Sequence, residues 1–303
     1  MQRRDFLSLS LATAASAPAG TAANSAEPYL KSICGGIFPT GMPLLDQLRA
    51  ASNAGFRGIE VRLGRGLELT ATRDEVQRLA EASRRLNVAI VSIWPSGAPG
   101  GTTLNDDDPQ VRATGVENIR KAITLAKDLN CGALLIVPGR LGDGAKFQHG
   151  YQQTWDRVTA EMKKLVADAE RWKVYLTPEN VWSKFLVSPL EMRTFLDQFQ
   201  SPWIQAHFDI GNVMQFGYPQ DWIATLGTRI KRVHVKDYKL STRPEQGRFV
   251  DLLEGDVDWK EVMAALRAVS YRGFMSPEYG PRPADPEYLM KVSRALDRIL
   301  AMG

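Results

Sequence analysis

Cysteine and histidine are scarce in this chain, long apolar runs are missing, and like charges never gather. Two cysteines in 303 residues, Cys34 and Cys131, cannot build a disulfide framework or a thiolate metal cluster. Three histidines in total, His149, His207 and His234, are too few for a centre that holds several zinc ions through imidazoles. No apolar stretch reaches the ~20 residues of a membrane-spanning helix, so no stable membrane anchor is expected. No five like charges stand in succession, and a net charge of +4, from 38 basic against 34 acidic residues, forms no basic tract for nucleic acid. What remains is a globular composition, 44% hydrophobic and 24% charged, which excludes a disordered, collagenous or coiled-coil chain.

The first 26 residues read as an address. Arg3-Arg4-Asp5-Phe6-Leu7 precedes a modest apolar stretch through Ala15 and then a run of Ala, Ser, Pro and Gly. Paired arginines in that setting resemble a twin-arginine export signal, and Ala17-Pro18-Ala19 or Thr21-Ala22-Ala23 offers a small-residue cleavage site. The alternative is a disordered basic N-terminus. On the export reading, residues 1–26 are the signal, residues 27–303 are the mature domain, and the protein meets the twin-arginine machinery and works in the periplasm or outside the cell.

From Leu30 onward short apolar runs alternate with amphipathic stretches. Strands are expected at Leu30–Phe38, Gly58–Leu63, Val88–Trp94, Ala133–Pro138, Val174–Pro178, Ile204–Asp209, Ile230–Lys236 and Phe274–Glu278. Helices are expected at Pro43–Ala54, Arg73–Leu86, Asp108–Asn130, Tyr151–Trp172, Pro189–Phe199, Pro219–Leu226, Trp259–Ser270 and Asp285–Met302. Asp108-Pro109, Ser188-Pro189 and Asp285-Pro286 set a proline in a first helical turn. Gly55 and Gly132 stand where a chain leaving a helix often needs positive φ. Eight strands alternating with eight helices, without a linker between them, is the count of a single α/β (β/α)8 TIM barrel. A doubly wound sheet is the competing fold. It favours a phosphate-cradling glycine loop after the first strand, and Cys34-Gly35-Gly36-Ile37-Phe38 is not one.

A barrel works at the C-terminal ends of its strands, and four polar residues close consecutive strands there: Glu179, Asp209, His234 and Glu278. Three carboxylates and an imidazole meeting at one mouth repel one another unless a cation joins them. One divalent metal answers that need, with Mn2+ the foremost choice, Mg2+, Co2+ or Zn2+ as alternatives, and copper disfavoured by the oxygen-rich set. For each residue alone, a helix N-cap or a surface ion pair explains it as well.

The stretches Leu176-Thr177-Pro178-Glu179-Asn180, Phe208-Asp209-Ile210-Gly211-Asn212, Arg232-Val233-His234-Val235-Lys236-Asp237 and Leu253-Glu254-Gly255-Asp256-Val257-Asp258-Trp259 resemble the sugar phosphate isomerase/epimerase family. That family sits in the xylose isomerase-like TIM-barrel superfamily, and the likeness runs over residues 30–300. The resemblance implies that Glu179, Asp209, His234 and Glu278 bind one divalent metal, and that Glu179 and Glu278 are the acid/base pair. Chemically, moving a proton beside a ketose carbonyl needs a carboxylate to remove it, a second acid to return one, and a positive centre for the enediolate oxygens. Epimerisation and aldose–ketose isomerisation share those needs.

Further candidates for the substrate are Lys236 and His207, which alternate onto the inward face with His234 and Asp209. Arg248 follows the seventh strand, His149 follows the fourth, and Trp94 and Trp182 stand at strand ends as a wall for a sugar ring. Packing, salt bridges or solvation explain each of these equally. Glu60 and Arg62, at alternate positions of the second strand, are expected as a buried ion pair. The leading function is a metal-dependent sugar isomerase or epimerase. The alternative is a lyase or dehydratase eliminating a group β to the carbonyl of a keto-sugar or keto-glycoside. Repair nucleases of the superfamily need more metal ligands than this chain offers, and retention of the four candidates speaks against a silent sugar-binding barrel. Export argues against a phosphorylated substrate. The expected partner is a small sugar rather than nucleic acid, with a homo-oligomer left open.

Overall fold

The computed structural model of the chain describes residues 28–243 and 246–303; the export-type segment, residues 1–26, lies outside the described residues. Eight parallel strands form the barrel: β1 Tyr29–Cys34, β2 Gly58–Arg62, β3 Ala89–Trp94, β4 Ala133–Ile136, β5 Tyr175–Pro178, β6 Ala206–Asp209, β7 Ile230–Val235 and β8 Gly273–Pro277. Their hydrogen-bonded order is β5-β4-β3-β2-β1-β8-β7-β6. The ring shuts between β5 and β6 through isolated parallel bridges, Leu176 with Ile204 and Glu179 with His207. The (β/α)8 barrel expected from the strand–helix count is what the chain forms.

Helices α1 Leu44–Asn53, α2 Arg73–Leu86, α3 Pro109–Asp128, α4 Tyr151–Lys163, α5 Val166–Trp172, α6 Pro189–Asp197, α7 Ile210–Val213, α8 Pro219–Leu226, α9 Trp259–Ala268 and α10 Pro286–Leu300 follow the strands. Several start on the expected signals. Ser188 and Glu191 form a reciprocal capping box on α6, and Asp108 and Asp285 cap α3 and α10 one residue before a proline, each cap stabilising its helix by roughly 1 kcal/mol. The apolar faces, carrying residues such as Leu48, Ile119, Met162, Phe195, Val262 and Leu296, are buried in one continuous core with the strands. No helix among the described residues is long and apolar enough to cross a membrane.

The departures from expectation have local causes. Tyr151–Trp172 is two helices, because the amides of Lys164 and Leu165 bond carbonyls three residues back, Glu161 and Met162, before ordinary helical bonding resumes at Ala169. A period of 3.6 runs through such a break unnoticed. Gly55 takes φ +84 as expected, but after α3 the left-handed residue is Asn130 at φ 55 rather than Gly132; the helix ends earlier, so the position just past its cap falls on Asn130. β1 stops at Cys34 since Gly35–Ile37 turns as a short 3-10 helix. A Cβ on Gly35 would stand 2.7 Å from the carbonyl oxygen of Glu60. Two hairpins, Gly142–Asp143 with Lys146–Phe147 and Asp237–Lys239 with Arg248–Val250, are too short to show alternation in sequence.

The barrel interior is unusually polar. Ser32, Glu60, Ser92, Thr177, His207, His234 and Ser276 are all buried, where branched aliphatic side chains more often fill such a barrel. Several of them hydrogen-bond across strands, as in the Ser32–Ser276 hydroxyl contact of 2.6 Å between β1 and β8.

Candidate active site

Glu179 and Asp209 are brought together by a clasp of the Asn180 side chain on the Asp209 backbone. The Asn180 side chain does this from both ends: its Nδ2 donates to the backbone carbonyl of Asp209 at 2.8 Å, and its Oδ1 accepts the Asp209 N–H at 2.8 Å. Asn212 then donates to the Asn180 carbonyl at 2.9 Å. Asp209 is a helix cap and a site residue at once: its Oδ1 accepts the Asn212 N–H at 2.8 Å, which fixes Oδ2 toward the barrel axis. Gly211 lets β7 come close, because a Cβ there would meet the Lys236 side chain at 2.5 Å. The runs Pro178-Glu179-Asn180 and Asp209-Ile210-Gly211-Asn212 are thus the local geometry that sets two carboxylates side by side.

His234 stands at the centre. Its Nδ1 lies 2.9 Å from Glu179 Oε1, 3.3 Å from Glu278 Oε2 and 3.7 Å from Asp209 Oδ2. One ligand-type atom from each of Glu179, Asp209, His234 and Glu278 can be chosen so that all lie within 4.8 Å of one another. Lys236 reaches the same place, 2.9 Å from Asp209 Oδ2 and 2.5 Å from Glu278 Oε2. Below them, Glu60 Oε1 contacts His234 Nε2 at 3.0 Å, and Glu60 Oε2 lies 3.7 Å from His207 Nε2.

Burial and charge push these groups in opposite directions. Burial raises the Glu179 carboxyl to about 7, with Glu278 and Asp209 adding to the rise against the pull of His234. Burial would raise Glu278 too, but His234 and Lys236 outweigh it and hold that carboxyl well below the usual range. Burial works against a charged His234, yet Glu60, Glu278 and Glu179 keep its pKa well above an ordinary histidine. Glu60 is held at about 2, as His234 and His207 overcome its burial. His207 is pushed the other way by burial and by the charge of His234, toward the neutral imidazole.

The donor set fits a divalent cation. Four carboxyl groups, from Glu60, Glu179, Asp209 and Glu278, meet the ammonium of Lys236 and the imidazole of His234, with the His207 imidazole 3.7 Å from Glu60, so acidic groups outnumber basic ones at this centre. Asp209 Oδ2 and Glu278 Oε2 are buried and share one ammonium, that of Lys236, so acidic charge exceeds basic charge there, an imbalance that a divalent ion would relieve.

A cavity of about 400 Å³ opens onto this cluster, bounded by Lys236 and Glu278 together with Cys34, Trp94, Phe249 and Tyr279. That volume accommodates a small sugar. Of the other candidates, Trp94 lines the cavity, with the Arg62 guanidinium 4.3 Å from its ring centre. Trp182 stands behind the wall: it stacks on Phe249 at 5.1 Å and donates its indole N–H to the Asn212 carbonyl at 2.9 Å. Two candidates are not brought to the site. Arg248 is exposed on a hairpin strand and does not line the cavity. His149 sits in a different pocket beside Thr103 and Arg140, 3.6 Å from Asp107. The Glu60–Arg62 pair does not form either. Glu60 turns inward to His234, and Arg62 binds the Ser96 hydroxyl at 2.9 Å, because an imidazole at the barrel centre is the nearer partner. Arg65 and Arg282, which also line the cavity, escaped the sequence reading. Both stand in loops that follow strands, so collecting basic as well as acidic residues beyond strand ends would have found them.

The sequence profile of the xylose isomerase-like TIM barrel family matches residues 48–298, and the chain belongs to that family. Among named proteins, it is 28% identical over 240 residues to the L-ribulose-5-phosphate 3-epimerase UlaE of Salmonella paratyphi C (strain RKS4594), covering 78% of this chain and 81% of that one. Among solved structures, a D-psicose 3-epimerase crystallised in the presence of D-fructose superposes with a TM-score of 0.76 at 14% identity, over 90% of this chain and 100% of that one. An L-ribulose 3-epimerase superposes with a TM-score of 0.71 at 20% identity, over 90% and 94%. These two structures share the fold.

Proposed function

We propose that the protein is a sugar epimerase that inverts a carbon beside a ketose carbonyl, with Glu179 and Glu278 as its acid/base pair. The observation that carries the reading is two glutamate carboxyl groups, on β5 and β8, both within 3.3 Å of the same imidazole nitrogen of His234 beside a sugar-sized cavity. The 3-epimerase relatives supply the reaction class; the chemistry of the cluster explains how it would proceed. One glutamate takes the proton from the carbon next to the carbonyl, and the other delivers a proton to the opposite face. Asp209 and His234 hold the geometry, Asp209 through its capped oxygen and His234 through its second nitrogen on Glu60. Lys236 offers an ammonium to the substrate oxygen that gains negative charge. Trp94 gives the sugar an apolar face to lie against.

Glu179, Asp209, His234 and Glu278 would hold the divalent ion, Mn2+ foremost, which when bound supplies positive charge to the oxygens of the enediolate. Nothing in the site favours elimination over reprotonation, so the lyase reading is not carried further. The test is a set of free ketoses and their phosphates incubated with the purified protein and Mn2+ in deuterated water. Epimer carrying deuterium at the inverted carbon is the expected product; an unsaturated or dehydrated product, or no incorporation into any of them, overturns the reading.

Export of the mature domain beyond the cytoplasm belongs to the same proposal and rests on Arg3-Arg4 and the weakly apolar run behind them. N-terminal sequencing of protein recovered from the periplasm should begin between residues 19 and 27, and an intact Met1 contradicts it.

A further inference from the structure

Two arginines without a carboxylate partner line the wall of the cavity. β2 ends on Arg62, and the turn Arg62-Leu63-Gly64-Arg65-Gly66 brings a second guanidinium to the same space. The turn is firmly built. Gly64 and Gly66 take φ of +79 and +88, a region open to glycine at no steric cost. The buried amide of Gln47 donates to the carbonyls of Met42 at 2.7 Å and Arg65 at 3.1 Å, and Gly64 N–H bonds the Leu67 carbonyl at 2.9 Å. Arg62 is fixed by the Ser96 hydroxyl and the Trp94 ring.

Their charge is not balanced. Among the described residues no ion pair involves Arg62 or Arg65, and Arg65 Nη1 is buried without a hydrogen-bond partner. Burial, then the like charge of Arg65, depresses the Arg62 pKa below the ordinary arginine range. A desolvated guanidinium nitrogen beside a second positive charge is costly, and an oxyanion in the cavity removes both penalties through charge-assisted hydrogen bonds. Arg282, from the loop after β8, lines the same cavity with its guanidinium 4.3 Å from the Tyr288 ring centre. Its acidic neighbour Asp251, at 3.7 Å, is engaged by Lys291 at 2.8 Å and by the Tyr288 hydroxyl at 2.6 Å.

We propose that Arg62 and Arg65, with Arg282 at the rim, form an oxyanion subsite, so that the substrate is a keto-sugar bearing a phosphate or carboxylate group away from the reacting carbon. The planar guanidinium fork suits either anion. As a statement about the substrate this rests on the epimerase reading above; as a binding site it does not. The export reading of the N-terminus argues against a phosphorylated substrate, and a sugar acid fits both that reading and the arginines.

The experiment has a binding arm and a turnover arm, so that the two readings fail separately. In the first, inorganic phosphate and acetate are titrated calorimetrically into metal-free full-length protein at low ionic strength, using wild type, Arg65→Gln, Arg62→Gln and the charge-conserving Arg65→Lys. Saturable binding of one of the two anions that falls about tenfold or more in either Gln variant, and less in Arg65→Lys, is expected. Absence of binding, or affinity equal in all four proteins with unchanged melting temperatures, overturns the subsite. The second arm compares kcat/KM for a neutral ketose, its terminal phosphate and its terminal carboxylate. The charged sugar should be preferred, the better of the two naming the group, and Arg65→Gln should reduce that preference about tenfold. A wild-type enzyme that prefers the neutral sugar overturns the substrate assignment. Loss of anion binding in the variants with no turnover of any sugar would sink the epimerase reading and leave the subsite standing.

Discussion

The two halves of the barrel end on different chemistry. β5 to β8 lead to Glu179, Asp209, His234 with Lys236, and Glu278, a carboxylate-rich set packed around one imidazole. β1 to β3 lead to Cys34, Arg62 and Trp94, a thiol, a guanidinium and an indole along the cavity wall. The first set has the acids and bases for proton transfer; the second can only grip and orient. A symmetric scaffold thus divides its labour by what each strand's last inward position holds, and the strands themselves need not differ. Glu60 crosses the divide: it belongs to β2, yet its contact of 3.0 Å is to His234 on β7.

Substitutions can break or sharpen that division. The largest effect is expected from Glu179→Gln and Glu278→Gln, each lowering epimerisation by roughly 10²–10⁴-fold, the usual worth of a general acid or base, while the ion stays bound. Next is His234→Ala, which should abolish metal retention through dialysis as read by elemental analysis; full occupancy would remove His234 from the ligand set. Glu60→Gln should act more gently, weakening metal affinity by about 10–100-fold through the orientation of His234, and a value equal to wild type would remove Glu60 from the metal-supporting side and return it to the β1–β3 set. Smallest is Trp94→Ala, expected to raise KM severalfold with kcat and metal content little altered, corresponding to roughly 1 kcal/mol of lost ring contact. A fall in kcat as large as that of the glutamate variants would erase the distinction between the halves.

Much of this was legible in sequence where a single rule governs a position. The strand ends followed from short apolar runs and punctuation, and Glu179, Asp209, His234 and Glu278 followed from asking what stands where each of the last four strands ends. Lys236 and His207 were placed inward by the two-residue alternation of a strand, and both lie there. Sequence could not choose a partner between two geometrically open options. Glu60 and Arg62 look like an ion pair two residues apart on one strand, but across a barrel Glu60 is nearer to His234, and that distance is a property of closure. Arg248 and His149 each follow a strand without reaching the mouth: on its hairpin strand Arg248 stays exposed while Phe249 and Val250 line the cavity, and His149 lies past the hairpin of residues 142–147 in a different pocket. Asp237 shows the converse. It sits in a run that resembles a catalytic motif, yet its carboxylate accepts N–H groups of Leu253, Gly255 and Val257 at 2.8, 3.1 and 3.3 Å. It is the clamp that folds the Leu253–Trp259 stretch, and a Cβ on Gly255 would fall 2.0 Å from it. Distance along the chain carries no sign of that.

On the proposed mechanism Glu179 and Glu278, both at His234 Nδ1, exchange protons with a carbon beside the sugar carbonyl. The most direct measurement is exchange of that carbon-bound hydrogen with deuterated solvent, followed by NMR at saturating Mn2+, in wild type and in the Glu179→Gln/Glu278→Gln double variant with the same metal content. The account predicts exchange at the rate of turnover in wild type and none above background in the double variant. Exchange at the wild-type rate in the double variant would contradict it.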